Sequence, residues 1–90
     1  MDIVYFSIVF EVYIIFSRLI DRYYIGHTQN IDDRIMRHTN SGSKSTKKAS
    51  DWVLKYTEKH ETRSSAMKRE MEIKRKKSRK YIEGLIKSGI

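Results

Sequence analysis

Two tyrosines stand at similar points of two consecutive apolar runs near the start of the chain. Tyr13 lies in VYIIFS and Tyr24 lies in YYIG, eleven residues further on. If the runs are adjacent strands, alternation allows both phenols to point to one face of a sheet. The pair is then either half of a reactive centre or ordinary strand packing with a solvated hydroxyl. The neighbouring Tyr23 shows how readily strand tyrosines arise here.

Arg34 and His38 form a second candidate pair on a short predicted helix. They are four residues apart and flank the apolar positions Ile31 and Ile35, so both side chains can converge on one point at the margin of the core. Arginine is well shaped to grip a phosphate with two hydrogen bonds, and histidine can relay a proton near neutral pH. Taken singly, a surface arginine and a helix-terminal histidine stabilised by the helix dipole are the favoured interpretation.

Glu70 is the candidate carboxylate. On a helical wheel it falls between Ala66 and Ile73, inside an apolar stripe, where a carboxylate is costly unless it is paired or binds a cation. The wheel alone favours an ordinary helix pair with Lys74, four residues on. His27 and His60 are interpreted as incidental. The chain contains no Gly-rich phosphate loop, Ser-His-Asp order or metal-binding histidine pair.

Hydrophobic periodicity predicts the elements that must position these residues. The predicted order is β-β-α-β-α-α, with strands at 12–17, 23–27 and 51–58 and helices at about 31–38, 63–77 and 78–86. This order predicts an α/β (α+β) fold in which a small, mainly antiparallel three-stranded sheet is covered by helices. Residues 3–9 are a candidate for an extra N-terminal strand.

Several local signals support this assignment. Asn30 is a good N-cap for the first helix, and Thr62 or Ser64 can cap the second. In DWVLKYTE, residues 51–58, Trp52, Leu54 and Tyr56 alternate with their neighbours, which predicts that these three side chains share one face of a strand.

Charge indicates an anionic polymer as the partner. The 90 residues carry a formal net charge of +8, concentrated in SGSKSTKKAS and MKREMEIKRKKSRK. Lysine and arginine that neutralise phosphates release counterions, so nucleic acid is the favoured partner. The predicted nucleic-acid-binding side chains are Lys44, Lys47 and Lys48 in a loop and Lys68, Arg69, Lys74 and Arg75 on the second helix.

Residues 3–20 approach the length of a membrane-spanning segment, but Glu11 at the centre and the β-branched and aromatic composition favour a strand. No cysteine or proline is present, which fits a cytoplasmic protein held together by packing alone. A membrane-associated basic protein remains an open alternative.

These separate features together resemble the GIY-YIG nuclease superfamily, most closely small stand-alone members similar to the N-terminal nuclease domain of UvrC. Tyr24-Ile25-Gly26 keeps the second signature triplet, and Val12-Tyr13-Ile14 keeps the tyrosine of the first. Arg34 follows Tyr24 by ten residues and His38 follows four later, as in the family. The resemblance covers residues 12–88 as a single domain and leaves residues 1–11 as an N-terminal apolar extension.

The resemblance implies a metal-dependent endonuclease that hydrolyses DNA phosphodiester bonds, with branched or damaged DNA and DNA repair as the expected setting. It implies that Glu70 holds one Mg²⁺ or Mn²⁺ ion and that Arg34 clamps the scissile phosphate. Tyr13 or Tyr24 would position or deprotonate the attacking water, assisted by His38. The resemblance leaves open which tyrosine is the base.

Two positions depart from the family pattern. No asparagine follows Asn40, although family members often have one after the metal-ligand glutamate. His27 stands where the UvrC branch has a lysine that could activate the phenol. Both departures concern the rate of cleavage and the route of the proton.

The alternative function is a non-catalytic basic module of the same fold that binds nucleic acid.

Overall fold

The computed structural model describes residues 9–40 and 49–89. Its elements are β1 (Phe10–Ser17), β2 (Arg22–Thr28), α1 (Ile31–Asn40), β3 (Val53–His60), α2 (Arg63–Lys76) and α3 (Arg79–Ser88). The predicted order of elements and the predicted α/β class are therefore confirmed. Strand β1 begins at Phe10, two residues earlier than predicted. The candidate strand at residues 3–9 lies, apart from Val9, outside the described part of the chain.

The three strands form one antiparallel sheet in the order β2-β1-β3. Because β1 is central, both of its faces are covered, and residues Val12, Tyr13, Ile14 and Ile15 are at most 1% exposed. This explains why β1 is an uninterrupted apolar run rather than an alternating one. Strand β2 lies at an open edge of the sheet, and the candidate site lies around that edge.

Helices cover both faces of the sheet. On one face, Val12, Ile14 and Ile25 pack with Ala66 and Ile73 of α2 and with side chains of α3. On the other face, Tyr13 and Ile15 pack with Trp52 and with Ile31 and Ile35 of α1. Helices α1 and α2 thus pack against the sheet with the apolar positions predicted for them. Side chains of α1 and α2 can therefore approach the β2 edge from opposite faces.

Polar caps fix where the helices begin. The backbone N–H of Asp33 donates to the Asn30 side chain (3.1 Å), and the N–H of Ser65 donates to the Thr62 hydroxyl (3.1 Å). Asn30 is thus the predicted cap, and Thr62 rather than Ser64 caps α2. Helix α2 ends at its C-cap Lys77, whose left-handed backbone (φ 47°) separates α2 from α3.

No helix in the described ranges is long and apolar enough to cross a membrane.

The prediction that Trp52, Leu54 and Tyr56 share one face is wrong. Trp52 precedes β3 and packs on the α1 face, whereas Tyr56 packs on the α2–α3 face. The cause is a β-bulge, because Ile14 pairs with Tyr56 while the next residue of β1 pairs with Leu54. One extra residue in β3 shifts the alternation and reverses the face of every residue beyond it.

Candidate active site

Tyr13 lies at the centre of the candidate site and is almost fully enclosed. Its side chain projects from β1 toward α1, and its hydroxyl shares a buried hydrogen bond of 2.8 Å with Nε2 of His38. The cross-strand partner of Tyr13 is Gly26. A Cβ atom at Gly26 would lie 2.5 Å from the Tyr13 hydroxyl oxygen, so the absence of a side chain there makes room for the phenol. Gly26, the last residue of the YIG triplet, therefore leaves the space that the Tyr13 side chain of the first triplet occupies.

Tyr24 occupies the same face of the sheet, as the alternation predicted. It pairs with Ile15 on β1, diagonal to Tyr13, and the two phenol ring centroids are 6.3 Å apart. The imidazole of His38 is 4.9 Å from the Tyr24 ring, centroid to centroid. Tyr13 is 1% exposed, whereas Tyr24 is half-buried and reaches the surface. The two phenols and the imidazole thus form one aromatic cluster, in which Tyr24 is the phenol that contacts solvent.

Arg34 brings a positive charge to this cluster. It lies one turn before His38 on α1 and is half-buried, and no carboxylate of the described residues pairs with it. Its guanidinium is close enough to lower the pKa of both Tyr13 and His38. A half-buried arginine without a counter-ion is suited to an anionic ligand such as a phosphate.

Glu70 reaches the β2 edge from α2, on the opposite side of the sheet from α1. Its side chain is 18% exposed, as its place in the apolar stripe predicted. Lys74 Nζ donates to Glu70 Oε2 at 2.7 Å, so the predicted helix pair is present. The same Lys74 ammonium lies 5.9 Å from the Tyr24 ring centroid. Lys74 therefore lies between the Glu70 carboxylate and the Tyr24 ring.

His27 is a residue of this site, and its interpretation as incidental is wrong. Its Nδ1 atom is 2.7 Å from Glu70 Oε1, and both side chains are about four-fifths buried. The contact joins β2 to α2 across 43 residues of sequence, so only the position of His27 after the YIG triplet could have indicated it. His60, the other histidine interpreted as incidental, bonds Glu58 and Ser65.

Burial and local charge set the protonation of the central pair. Burial, and after it the neighbouring Tyr24, raises the pKa of Tyr13 well above its usual value, while Arg34 acts in the opposite direction. The Glu70 carboxylate adds to the rise, which places its charge within electrostatic reach of Tyr13. Burial lowers the pKa of His38 below its usual 6.5. Tyr13 and His38 are therefore a neutral hydrogen-bonded pair at neutral pH.

The donor set fits a hard divalent cation with one protein ligand. No group of three or more His, Cys, Asp or Glu side chains in residues 9–40 and 49–89 could hold a metal ion. Mg²⁺ keeps several waters and commonly binds through one or two carboxylates plus substrate phosphate. Glu70 supplies one such carboxylate, and His27 holds one of its oxygens as outer-shell partners of metal ligands do.

The predicted nucleic-acid-binding cations fall into three groups. Lys68 and Arg75 are exposed on α2, and Lys74 is half-exposed beside Glu70. Lys44, Lys47 and Lys48 lie outside the described residues. Arg69, also predicted to bind nucleic acid, is only 19% exposed and donates to Glu58, Glu72 and Tyr81. Arg69 therefore ties α2 to β3 and α3 and does not lie among the exposed cations of α2.

The arrangement combines a largely buried carboxylate, two phenols and an arginine that has no carboxylate partner among the described residues. Residues 10–82 match the family model described as the GIY-YIG catalytic domain. Because this match covers most of the chain, the protein belongs to the GIY-YIG family, which is a family of nucleases.

A curated relative agrees with this assignment. The chain is 44% identical over 52 residues to UPF0213 protein SSP2268 of Staphylococcus saprophyticus. The matched segment covers 57% of this chain and 63% of that relative, so the chain spans less than two thirds of the relative's length. Comparison with solved structures finds no match.

Proposed function

We propose that the protein is a divalent-metal-dependent endonuclease that hydrolyses phosphodiester bonds in DNA. The observation that carries this proposal is the meeting of the Tyr13–His38 hydrogen bond with two charges. Glu70 of α2 bonds to His27 of β2, and Arg34 of α1 acts electrostatically on both Tyr13 and His38. Arg34, which no carboxylate of residues 9–40 and 49–89 pairs with, fits the phosphate of a hydrolytic site, and the Glu70 carboxylate fits its metal ion.

Glu70 would hold the cation, with His27 orienting its carboxylate through the Nδ1–Oε1 hydrogen bond. A divalent ion bound there supplies stabilisation of the negative charge on the leaving oxygen and on the phosphate. Lys74 occupies the other carboxylate oxygen, and its side chain is 47% exposed. It can therefore swing away toward solvent or toward the substrate when Glu70 takes a metal ion.

Arg34 clamps the scissile phosphate in this mechanism. Its guanidinium acts electrostatically on both Tyr13 and His38 and has no competing carboxylate in the described chain. Because charge develops on the phosphate oxygens in the transition state, a fixed guanidinium lowers the barrier more than it strengthens ground-state binding.

Tyr24 is the phenol that positions and deprotonates the attacking water. It reaches the surface, whereas Tyr13 is enclosed and bonded to His38. A phenol is a poor base near pH 7 unless positive charge stabilises the phenolate. In this proposal Lys74, whose ammonium lies 5.9 Å from the Tyr24 ring centroid, takes the part that a lysine at position 27 would take in the UvrC branch. The hydrogen-bonded Tyr13 and His38 pack beside the Tyr24 ring and hold its position.

A cleavage screen tests the proposal. Duplex, flap, four-way-junction and single-stranded DNA are incubated with the protein and Mg²⁺, Mn²⁺ or EDTA, and we expect metal-dependent cuts, with branched forms preferred. Tyr24→Phe should lose most of the activity, and Tyr13→Phe should lose stability as well as activity. A wild-type protein that cuts none of these substrates with either metal would contradict the proposal.

The second candidate is a non-catalytic module that binds nucleic acid. The observation that favours it is the occupation of both Glu70 oxygens by His27 and Lys74, which resembles a structural ion pair. This candidate predicts salt-sensitive DNA binding that neither Mg²⁺ nor the Glu70 carboxylate affects.

A further inference from the structure

A groove lies between β2 and the junction of α2 and α3, and it shares Lys74 with the candidate active site. It has a volume of about 350 Å³, and its floor is apolar, formed by Ile73 and Ile82 beside the Tyr23 ring. Four cations, Arg22, Lys74, Lys77 and Arg79, lie along its lining. We name it the β2–α3 groove. An apolar floor with cations along it suits a ligand that carries both negative charge and apolar surface.

The groove carries uncompensated positive charge. Its one carboxylate, Asp21, is paired with Arg79 at 2.6 Å, so these two charges cancel. Arg22 and Lys77 have no carboxylate partner among the described residues. Lys77 is also held in place by the backbone, because its N–H bonds to the carbonyl of Lys74 (3.2 Å) in the turn that ends α2. Two cations without a carboxylate partner in the described chain, Arg22 of β2 and Lys77 at the end of α2, thus line the groove.

The groove is continuous with the candidate active site through one side chain. Lys74 lines the groove, bonds to Glu70 and lies near the Tyr24 ring. A chain of phosphates leaving the scissile position therefore meets Lys74 first and then the pair formed by Lys77 and Arg22. Protein cations spaced along a groove are the usual means of tracking a nucleic-acid backbone.

We infer that the β2–α3 groove binds the phosphate backbone of the DNA strand that continues from the scissile phosphodiester, with Lys77 and Arg22 as the phosphate contacts. This inference rests on the proposed function for its direction along the DNA. The sugars of the same strand lie against the apolar floor, which a free phosphate ion or a flexible acidic peptide would not use in this way.

Binding in EDTA tests the groove separately from catalysis. A short fluorescent DNA duplex with a single-stranded overhang is titrated with the full chain. We expect Lys77→Glu to weaken binding roughly tenfold, and we expect Lys77→Gln and Arg22→Gln each to reduce the salt slope by about one phosphate contact. The matched control is Lys87→Glu, the same charge reversal at the exposed far end of α3. Equal losses for Lys77→Glu and Lys87→Glu would overturn the inference, because only net charge would then matter.

A covalent trap locates the strand directly. The chain contains no cysteine, so Lys77→Cys introduces a single thiol. We expect this thiol to form a disulfide with DNA carrying a thiol tether a few nucleotides to one side of the cleaved bond, and we expect Lys87→Cys to form none. Equal trapping of the two variants would overturn the inference, and so would competition by polyglutamate that matches competition by unlabelled DNA. If no substrate is ever cleaved but Lys77→Cys is trapped selectively, the proposed catalysis fails while the groove stands as a binding surface.

Discussion

Replacing Gly26 by alanine tests how the two signature triplets fit together. An added Cβ would lie 2.5 Å from the Tyr13 hydroxyl oxygen and 2.7 Å from its Cζ, closer than real Cβ contacts allow. The phenol cannot yield easily, because it is buried and its hydroxyl bonds to His38 at 2.8 Å. Overpacking costs about 1–3 kcal/mol, and a lost buried hydrogen bond adds about 0.5–1.5 kcal/mol.

The expected destabilisation of Gly26→Ala is therefore about 2–4 kcal/mol, a large part of the stability of a small domain. At roughly 4–8 °C per kcal/mol, the melting temperature should fall by about 8–32 °C. Circular dichroism measures the melting curve, and the NMR signals of the His38 imidazole report whether its bond to Tyr13 survives. We expect those imidazole signals to shift in Gly26→Ala.

Gly84→Ala is the matched control for this prediction. Gly84 lies inside α3 and nothing is within 4 Å of its added Cβ, so alanine there should stabilise the helix by up to about 1 kcal/mol. Opposite signs for the two substitutions are the expected result. A Gly26→Ala protein that melts like wild type with unchanged His38 signals would refute the seating of Tyr13 against Gly26.

Three further predictions concern the charged residues of the site. Arg34→Ala should reduce cleavage about a hundredfold or more with little loss of DNA binding, because a contact made in the transition state is lost. Arg37→Ala, three residues further along α1, is the control and should cleave like wild type. Folding lowers the pKa of His38. The neutral imidazole therefore stabilises the folded protein fully above about pH 6.5, and this contribution is lost as the pH falls through the lower pKa of the folded state. We expect the difference in unfolding free energy between wild type and His38→Gln to shrink on acidification. His27→Ala should weaken Mg²⁺ binding about 10–100-fold, measured by calorimetry in the absence of DNA, and an unchanged affinity would exclude a role for His27 in orienting Glu70.

Local sequence patterns were sufficient for much of the fold. The continuous apolar run around Tyr13 and the caps at Asn30 and Thr62 depend on neighbours within a turn or a strand, so they can be interpreted without a structure. The inward position of Glu70 follows from helical periodicity in the same way. The meeting of Tyr13 with His38 needed the family resemblance as well, because 25 residues separate them.

The remaining features depend on tertiary contacts that leave no local trace. The bulge opposite Ile14 and Ile15 adds one residue to β3 without a glycine to mark it. Arg69 looks like its exposed neighbours on α2, yet β3 places Glu58 against it. His27 differs from an ordinary strand histidine only because Glu70 lies across from it on α2.

Paired measurements of cleavage and binding on Glu70→Ala test the central claim most directly. The DNA substrate selected by the cleavage screen is used with Mg²⁺, beside Glu72→Ala as a control on the exposed side of the same helix. We expect Glu70→Ala to lose cleavage entirely while its DNA affinity in EDTA stays close to that of wild type, and we expect Glu72→Ala to keep both. Mg²⁺-dependent cleavage by Glu70→Ala at the wild-type rate would contradict the assignment of this carboxylate as the metal ligand.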